Sequence, residues 1–392
     1  MPSLACLRTS GLFSSSMTRT PKSKFLASLL LAALSEILGA EAPALRPAQG
    51  FKIEVWADNI PNARSLSLSP EGWLFVGTRS DDKVYAIDTR TPPPRKTMLV
   101  ADGLKSPNGV AFKDDVLYVA EIHRVIAFDA VVSKLSAAGG TPKKLSYRVV
   151  SQSYPSDEHH GWKFVRFGPD GNLYVPIGAP CNVCARKDPY ATLTRLDLKS
   201  GNFEIVARGI RNTVGFDWDR EGRLWFTDNG RDHMGDNTPP CEINMIEKST
   251  SEKVPDFGFP ACHGQNIQDP AFGTPEGCLT TRPPVVELGA HTAPLGLRVI
   301  EGRSWPARYR GGLVFAEHGS WNRSSKVGYR VAFVPLKGAT AGKAEDLVTG
   351  FLDGQRTRGR PVDVEELPDG SLLISDDHGN RIWRLSREGA RP

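Results

Sequence analysis

From Ser65 onward the chain is written in short alternating runs rather than helical stripes. Ser65-Leu-Ser-Leu68 meets the turn Ser69-Pro-Glu-Gly72, followed by Trp73-Leu-Phe-Val-Gly77 and Lys83-Val-Tyr-Ala-Ile87. Alternation of apolar and polar positions broken by Gly, Pro and Asp turns is the pattern of antiparallel strands with one face buried. The same sentence recurs from Gly109 to Asp129 with a turn at Asp114-Asp115, from Phe164 to Leu198 with Pro169-Asp170-Gly171, and from Val214 to Ile246 with Arg220-Glu221-Gly222. It returns from Leu295 to Leu336 with Gly311-Gly312, and from Val362 to Leu385 with Pro368-Asp369-Gly370, making six units. Repeats of this kind build either a propeller or a solenoid. The turn markers lie about 40 to about 90 residues apart, which suits a propeller with large loops and not a regular solenoid. The expected fold is therefore all-β, a six-bladed β-propeller, with Phe51-Lys-Ile-Glu-Val-Trp56 completing the last blade so that the ring has no open seam. No helix longer than a turn or two is expected after the leader.

Composition agrees and narrows the class. A chain of 392 residues with 38 Gly, 30 Pro and 40% hydrophobic residues has ample core and many turns, and a propeller takes this length as one domain. The net charge of +5 is small beside 49 basic and 44 acidic residues, so nothing points to nucleic acid. Residues Arg19 to Lys24 are basic, Phe25 to Leu34 are apolar, and small residues surround Gly39 and Ala40. That order reads as a secretory signal peptide, and its apolar run is far short of the ~20 residues of a membrane-spanning helix. The expected organisation is an N-terminal extension plus signal peptide over residues 1–40 and a single propeller domain over 41–392, exported to the periplasm or outside the cell. Five cysteines follow the leader: Cys181, Cys184, Cys241, Cys262 and Cys278. In an exported protein they read as disulfides, with one thiol left over, and the Cys181-Asn-Val-Cys184 spacing has no second pair to make a zinc site.

In a propeller, function gathers where blade loops meet at one end of the central channel. Polar clusters sit at strand ends: Glu158-His159-His160-Gly161-Trp162-Lys163, Gly209-Ile210-Arg211-Asn212, Asp228-Asn229-Gly230-Arg231-Asp232, Glu317-His318 through Arg323, Arg358-Gly359-Arg360, and Asp376 through Asn380. Taken singly, each is as well explained by a solvated strand edge or a turn. Taken together, they bring cations, a histidine and amides to one axis, a pocket suited to a polyanionic ligand and a hydroxyl or carbonyl to be activated.

The run from His159 through Gly168-Pro169-Asp170-Gly171 to Val175, then Arg211-Asn212, then Trp225-Phe-Thr-Asp228-Asn-Gly-Arg-Asp232, resembles the pyrroloquinoline quinone (PQQ)-dependent glucose/sorbosone dehydrogenase family, over about Phe51 to Leu385. The resemblance implies a soluble, calcium-dependent quinoprotein that oxidises a sugar or related polyol or aldehyde. It places the family's general base at His160, counted without gaps from Gly168-Pro169-Asp170, or at His159 if one residue is inserted. In the same register Lys163 takes a basic position, and Arg211 and Asn212 contact the quinone. The carbonyls of Gly230 and Arg231 hold Ca2+, Arg358 and Arg360 bind cofactor carboxylates, Arg323 supplies a further cation, and Asn108 a polar pocket residue. The glucose enzymes have an acidic residue where Pro361 stands here.

The chemistry fits these types. Arginines match the three carboxylates of an ortho-quinone, calcium takes oxygen ligands and polarises a quinone carbonyl, and a neutral imidazole accepts a hydroxyl proton near neutral pH. Two other classes remain open: a six-bladed calcium-dependent lactonase, which predicts an acidic pocket, and a non-catalytic propeller that binds protein or glycan. Which sugar is oxidised and what receives the electrons are not written in the chain, and no CxxCH haem-attachment motif occurs.

Overall fold

The structure, a computed structural model, describes residues 42–138, 145–248, 253–274 and 276–389; the expected leader over residues 1–40 lies outside them. Six antiparallel sheets follow one another along the chain. Blade one comprises Ala63–Leu68, Trp73–Thr78, Val84–Asp88 and Thr97–Ala101, and blade two Gly109–Lys113, Val116–Ala120, Val125–Asp129 and Arg148–Ser151. Blade three comprises Arg166–Phe167, Leu173–Ile177, Thr192–Leu196 and Phe203–Arg208, and blade four Phe216–Trp218, Leu224–Asp228, Glu242–Ile246 and Val286–Glu287. Blade five runs through Pro294–Val299, Leu313–Glu317, Arg330–Val334 and Glu345–Thr349, and blade six through Pro361–Glu366, Leu372–Asp376 and Arg381–Arg387. Phe51–Ala57 pairs antiparallel with Arg381–Arg387 and completes blade six. Just before it, Arg46–Pro47 extends the rim of blade five by pairing with Val348 and Thr349. The N-terminal segment thus ties two neighbouring blades and closes the ring, which removes the exposed edge an open sheet would present.

In four blades the second strand is buried throughout and not on alternate positions. Trp73–Thr78, Leu224–Asp228, Leu313–Glu317 and Leu372–Asp376 are buried at every position. Each such strand lies between two neighbouring blades, so both of its faces leave water, as in sheets covered on both sides. The core accordingly divides into six clusters among the described residues, one per blade interface. Near the axis the inner strands approach so closely that only glycine fits at some positions: a Cβ on Gly215 would stand 2.1 Å from the Leu295 carbonyl of the next blade. One seven-residue helix, Val131–Ala137, follows the third strand of blade two.

Both ends of the cysteine expectation appear. Cys181 is bonded to Cys184, Cys262 to Cys278, and Cys241 is a buried free thiol. No helix among the described residues is long and apolar enough to cross a membrane.

Candidate active site

Strand direction decides which residues meet. Ala63 pairs with Thr78, Pro294 with Glu317 and Pro361 with Asp376, so the start of each inner strand and the end of each second strand share one face of the ring. Arg64, Asn108, Lys163, Arg211, Asn212 and Arg360 enter inner strands there, while Arg79, His318 and Asp377 leave second strands.

His160 sits at the entry of blade three, 9% exposed and held in the left-handed region at φ 52°. The turn is possible because Gly178 has no side chain: a Cβ there would come within 2.6 Å of the His160 Cβ. Nδ1 of His160 lies 2.8 Å from the Ala179 carbonyl. A carbonyl only accepts, so Nδ1 carries the proton and Nε2 is the basic nitrogen. Burial first, and then the charges of Arg211, His159 and Arg79, hold this imidazole well below the ordinary histidine pKa, so it is neutral at pH 7. His159 is exposed beside it, ring centroids 4.2 Å apart, also lowered by burial and Arg211.

Arg211 is fixed on all sides. Its Nε donates to the Asn182 carbonyl at 2.8 Å, Nη1 to Asn229 O at 3.1 Å and Nη2 to Asn182 Oδ1 at 3.0 Å, with Asp232 at 3.4 Å. Its backbone N–H and that of Asn212 donate to the two oxygens of buried Asp228, at 2.9 and 2.6 Å. Burial raises Asp228 to about 6 against the pull of those amides. Asn182 stands inside the loop closed by Cys181–Cys184 and also exchanges hydrogen bonds with the backbone of Asp232, accepting its N–H at 2.8 Å and donating to its carbonyl at 3.0 Å. One disulfide-closed loop and its flank therefore touch the histidine, the arginine and the 230–232 segment.

Across the ring, Arg64 is 1% exposed and donates from Nε to Asn108 Oδ1 and from Nη1 to Asp377, both at 2.8 Å. Asp377 also faces His318 Nε2 at 2.9 Å. Arg360 donates to the carbonyls of His318 and Gly319 at 3.0 and 2.8 Å. Arg79 lies over the indole of Trp162 at 3.6 Å. It is exposed at the mouth, yet desolvation in the recess and then Arg64 lower it to about 10. Arg64 pairs directly with Asp377, whose charge also acts on Arg79 and Arg360, and His318, lowered to about 4 mainly by burial, is neutral. Asn108 is already committed, its amide donating to Ser65 Oγ and the Lys163 carbonyl.

The side chains of the other expected site residues are engaged away from this cluster. Lys163 is 1% exposed, donates to the Gly161 carbonyl, lies over the Tyr154 ring, and is lowered by desolvation to about 7. Arg358 pairs at 3.1 Å with Asp353 of the exposed hairpin Leu352–Asp353/Arg356–Thr357. Arg323 ties its own loop to the Asp236 carbonyl and to Asn237 Oδ1, both at 2.9 Å. Arg231 points its guanidinium at Asp269, 2.5 Å away. The carbonyls of Gly230 and Arg231 accept no hydrogen bond from any described residue. Arg64 and Arg79 have no counterpart in the sequence reading, since an arginine at a strand end reads as solvated edge. His318 and Asp377 belong to the strand-end polar clusters, in which the sequence assigns them no individual role. A cavity of about 790 Å³ opens at the other end of blades three and four, around Pro169-Asp170 and Asp219–Gly222, and shares no residue with the cluster.

A six-bladed propeller whose channel mouth joins a neutral, oriented histidine to a surplus of guanidinium charge has the build of a quinoprotein sugar dehydrogenase. The chain belongs to the TrAA12-like family, whose model matches residues 45–388. A protein of Borreliella burgdorferi, described only as uncharacterized, is 33% identical over 374 residues, 93% of this chain and 95% of its own. The pyrroloquinoline quinone-dependent pyranose dehydrogenase of Coprinopsis cinerea is 24% identical over 277 residues, which span 56% of this chain and 37% of that enzyme. The holo form of its PQQ domain has a TM-score of 0.74 at 17% identity, over 89% of this chain and 99% of the domain. The PQQ-bound aldose sugar dehydrogenase of Streptomyces coelicolor gives 0.63 at 19%, over 88% of this chain and all of that one (100%). These two likenesses show the fold. The resemblance read from the His159–Val175 run, Arg211-Asn212 and Asp228–Asp232 is borne out at the level of fold and family.

Proposed function

We propose that this chain oxidises a sugar or related polyol with bound PQQ and calcium, with His160 as the general base. The observation that carries the reading is a neutral imidazole, Nε2 unprotonated, at the same channel mouth as three guanidiniums of which, among the described residues, only Arg64 is in an ion pair. A ligand with several carboxylates fits that charge imbalance, and Arg64, Arg79 and Arg360 are the residues that would hold it. The free carbonyls of Gly230 and Arg231 are the type of ligand a hard cation takes.

Bound there, PQQ supplies the two-electron acceptor for the hydride that leaves the sugar carbon. His160 Nε2 takes the hydroxyl proton of that carbon, and the Ala179 carbonyl at Nδ1 keeps the ring in the required tautomer as it becomes imidazolium. Arg211, seated by Asn182 and Asp228, presents a fixed edge beside the base. Two disulfides support an oxidising compartment, hence export. The test is reconstitution: the purified chain, with PQQ and Ca2+ added, should acquire a bound chromophore and reduce an artificial dye when given aldoses. A chain that binds no quinone sinks the reading.

A further inference from the structure

Trp321 is 70% exposed. A single exposed aromatic is ordinary on a protein surface, but this indole is carried on a loop that is held in place and that begins at His318 and Gly319 of the candidate site. Ser320 before it accepts the Tyr329 hydroxyl at its carbonyl, 2.7 Å, and exchanges bonds of 3.0 Å with Val327 through its N–H and its hydroxyl. Asn322 after it accepts the His233 N–H at 3.1 Å. Arg323 and Ser324 then pin the loop to Asp236. The loop is rigid and its one large apolar side chain faces water. His233 meets the indole edge-on, 6.0 Å between centroids and 88° between planes, which leaves the ring faces oriented by a neighbour. Both ends of the contact join the site: His233 follows Asp232, the carboxylate beside Arg211, and Trp321 follows His318 and Gly319, whose carbonyls take Arg360.

We propose that Trp321 is a stacking platform for a second sugar ring, so that the substrate is an oligosaccharide whose terminal unit reaches His160. This rests on the sugar-oxidation reading above. A pyranose presents an apolar C–H face and a polar rim; an indole face takes the first, while the His233 imidazole beside it offers polar ring nitrogens to the second. Pre-ordering the aromatic on an anchored loop removes the entropic cost of fixing it at binding.

The test uses the full-length chain in two states. Without cofactor, isothermal titration compares cellotetraose, xylotetraose and maltotetraose with their monosaccharides. At least one tetraose should bind more tightly than its monosaccharide, Trp321→Ala should weaken that tetraose about tenfold, the loss of roughly 1.4 kcal/mol of aromatic contact, and Trp321→Phe should restore most of it. With PQQ and calcium, the ratio of kcat/KM for the tetraose to that for the monosaccharide should fall by the same factor in Trp321→Ala. Equal affinity of tetraoses and monosaccharides, or a Trp321→Ala variant with an unchanged ratio, overturns the platform even if monosaccharides are oxidised. A variant altered instead only in its rate with a protein electron acceptor also overturns it. Tetraose binding that depends on Trp321 without any sugar turnover upholds the platform and sinks the oxidation reading alone.

Discussion

The two walls of the channel mouth satisfy their polar groups in different ways. On the wall built by blades three and four, Arg211 has a partner for each nitrogen it offers, Asp228 is capped by two amides, and His160 is locked by Ala179. On the wall built by blades five, six and one, Arg64, Arg79 and Arg360 crowd one another around Asp377, and burial and mutual repulsion lower Arg79 and Arg360. The side chains of the first wall are satisfied without a ligand. The second holds positive charge that an anion would relieve, so affinity for an anionic cofactor should come from the second wall and alignment of the reaction from the first.

The largest effect should come from breaking the first wall at its base. His160→Ala should lower kcat by about 10²–10⁴ while PQQ still binds, since a general base contributes that much to rate and little to binding. His159→Ala, on the exposed side of the pair, should lose far less. Measuring kcat and bound quinone for both variants separates a lost proton acceptor from a lost site. A dead His159→Ala enzyme with an active His160→Ala enzyme would move the base by one residue and leave the two-wall comparison standing.

Breaking the charged wall should act on affinity instead. Arg360→Ala should weaken PQQ binding to the otherwise folded chain roughly 10- to 100-fold, as expected for a charge-assisted contact in a desolvated pocket. Arg358→Ala, whose guanidinium sits in an exposed pair with Asp353, should change it less than about threefold. Equilibrium titration of both variants decides between one arginine and two. An equal loss in the two would mean that the hairpin carrying Arg358 turns inward when the quinone binds.

The contrast between Arg358 and Arg360 also marks where sequence reading stopped. The family resemblance implies that both arginines of the Arg358-Gly359-Arg360 motif bind cofactor carboxylates, as they could if the motif lay in a regular strand with both on one face. Strand pairing begins only at Pro361, and Arg358, just past the end of the hairpin, finds Asp353 first. The blades themselves were legible because turn residues and alternation are local signals. The fourth strand of a blade was not: Val286–Glu287 is two residues long and is separated from its partner strand by the disulfide-bearing excursion between Ile246 and Val286. Residues such as Arg64 and Arg79 become functional candidates only when the ring closes and sets blade one beside blade six. The count of cysteines announced one unpaired thiol, whereas the pairing itself depended on loop paths that no spacing encodes.

The first wall can be loosened without touching the base. Asn182→Ala removes two side-chain bonds with the Asp232 backbone and one with Arg211, leaving the Asn182 carbonyl in place. A fall of about tenfold in kcat/KM is expected, in keeping with a misaligned support rather than a missing reactive group. Asn182→Asp, which keeps the acceptor for Arg211, should recover part of that loss. Steady-state kinetics with quinone saturation held equal in the variants provides the measurement. Equal activity of Asn182→Ala and the parent would show that the loop closed by Cys181–Cys184 is a scaffold with no bearing on alignment.

The smallest effect tests the charged wall through pH. Burial holds His318 at about 4 in the folded chain, outweighing the attraction of Asp377, while an unfolded histidine titrates near 6.5. Between those values the unfolded chain carries a proton that the folded chain refuses, so stability falls as pH falls from about 6.5 to about 4. Asp377 behaves in the opposite sense: His318, Arg64 and their hydrogen bonds hold its carboxyl far below the usual range despite burial. Its stabilisation is present above the unfolded aspartate value of about 3.9 and is lost only as pH drops below it, so its window does not overlap that of His318. His318→Gln keeps a donor for Asp377 and removes the titration. The difference in unfolding free energy between pH 7.0 and pH 5.5 should therefore shrink by about 1 kcal/mol in His318→Gln, the share of one histidine over that interval. Urea titrations at the two pH values measure it. An unchanged difference would mean that His318 already takes up its proton in the folded chain, making it a fourth cation around Asp377 and strengthening the charge imbalance that distinguishes this wall from the other.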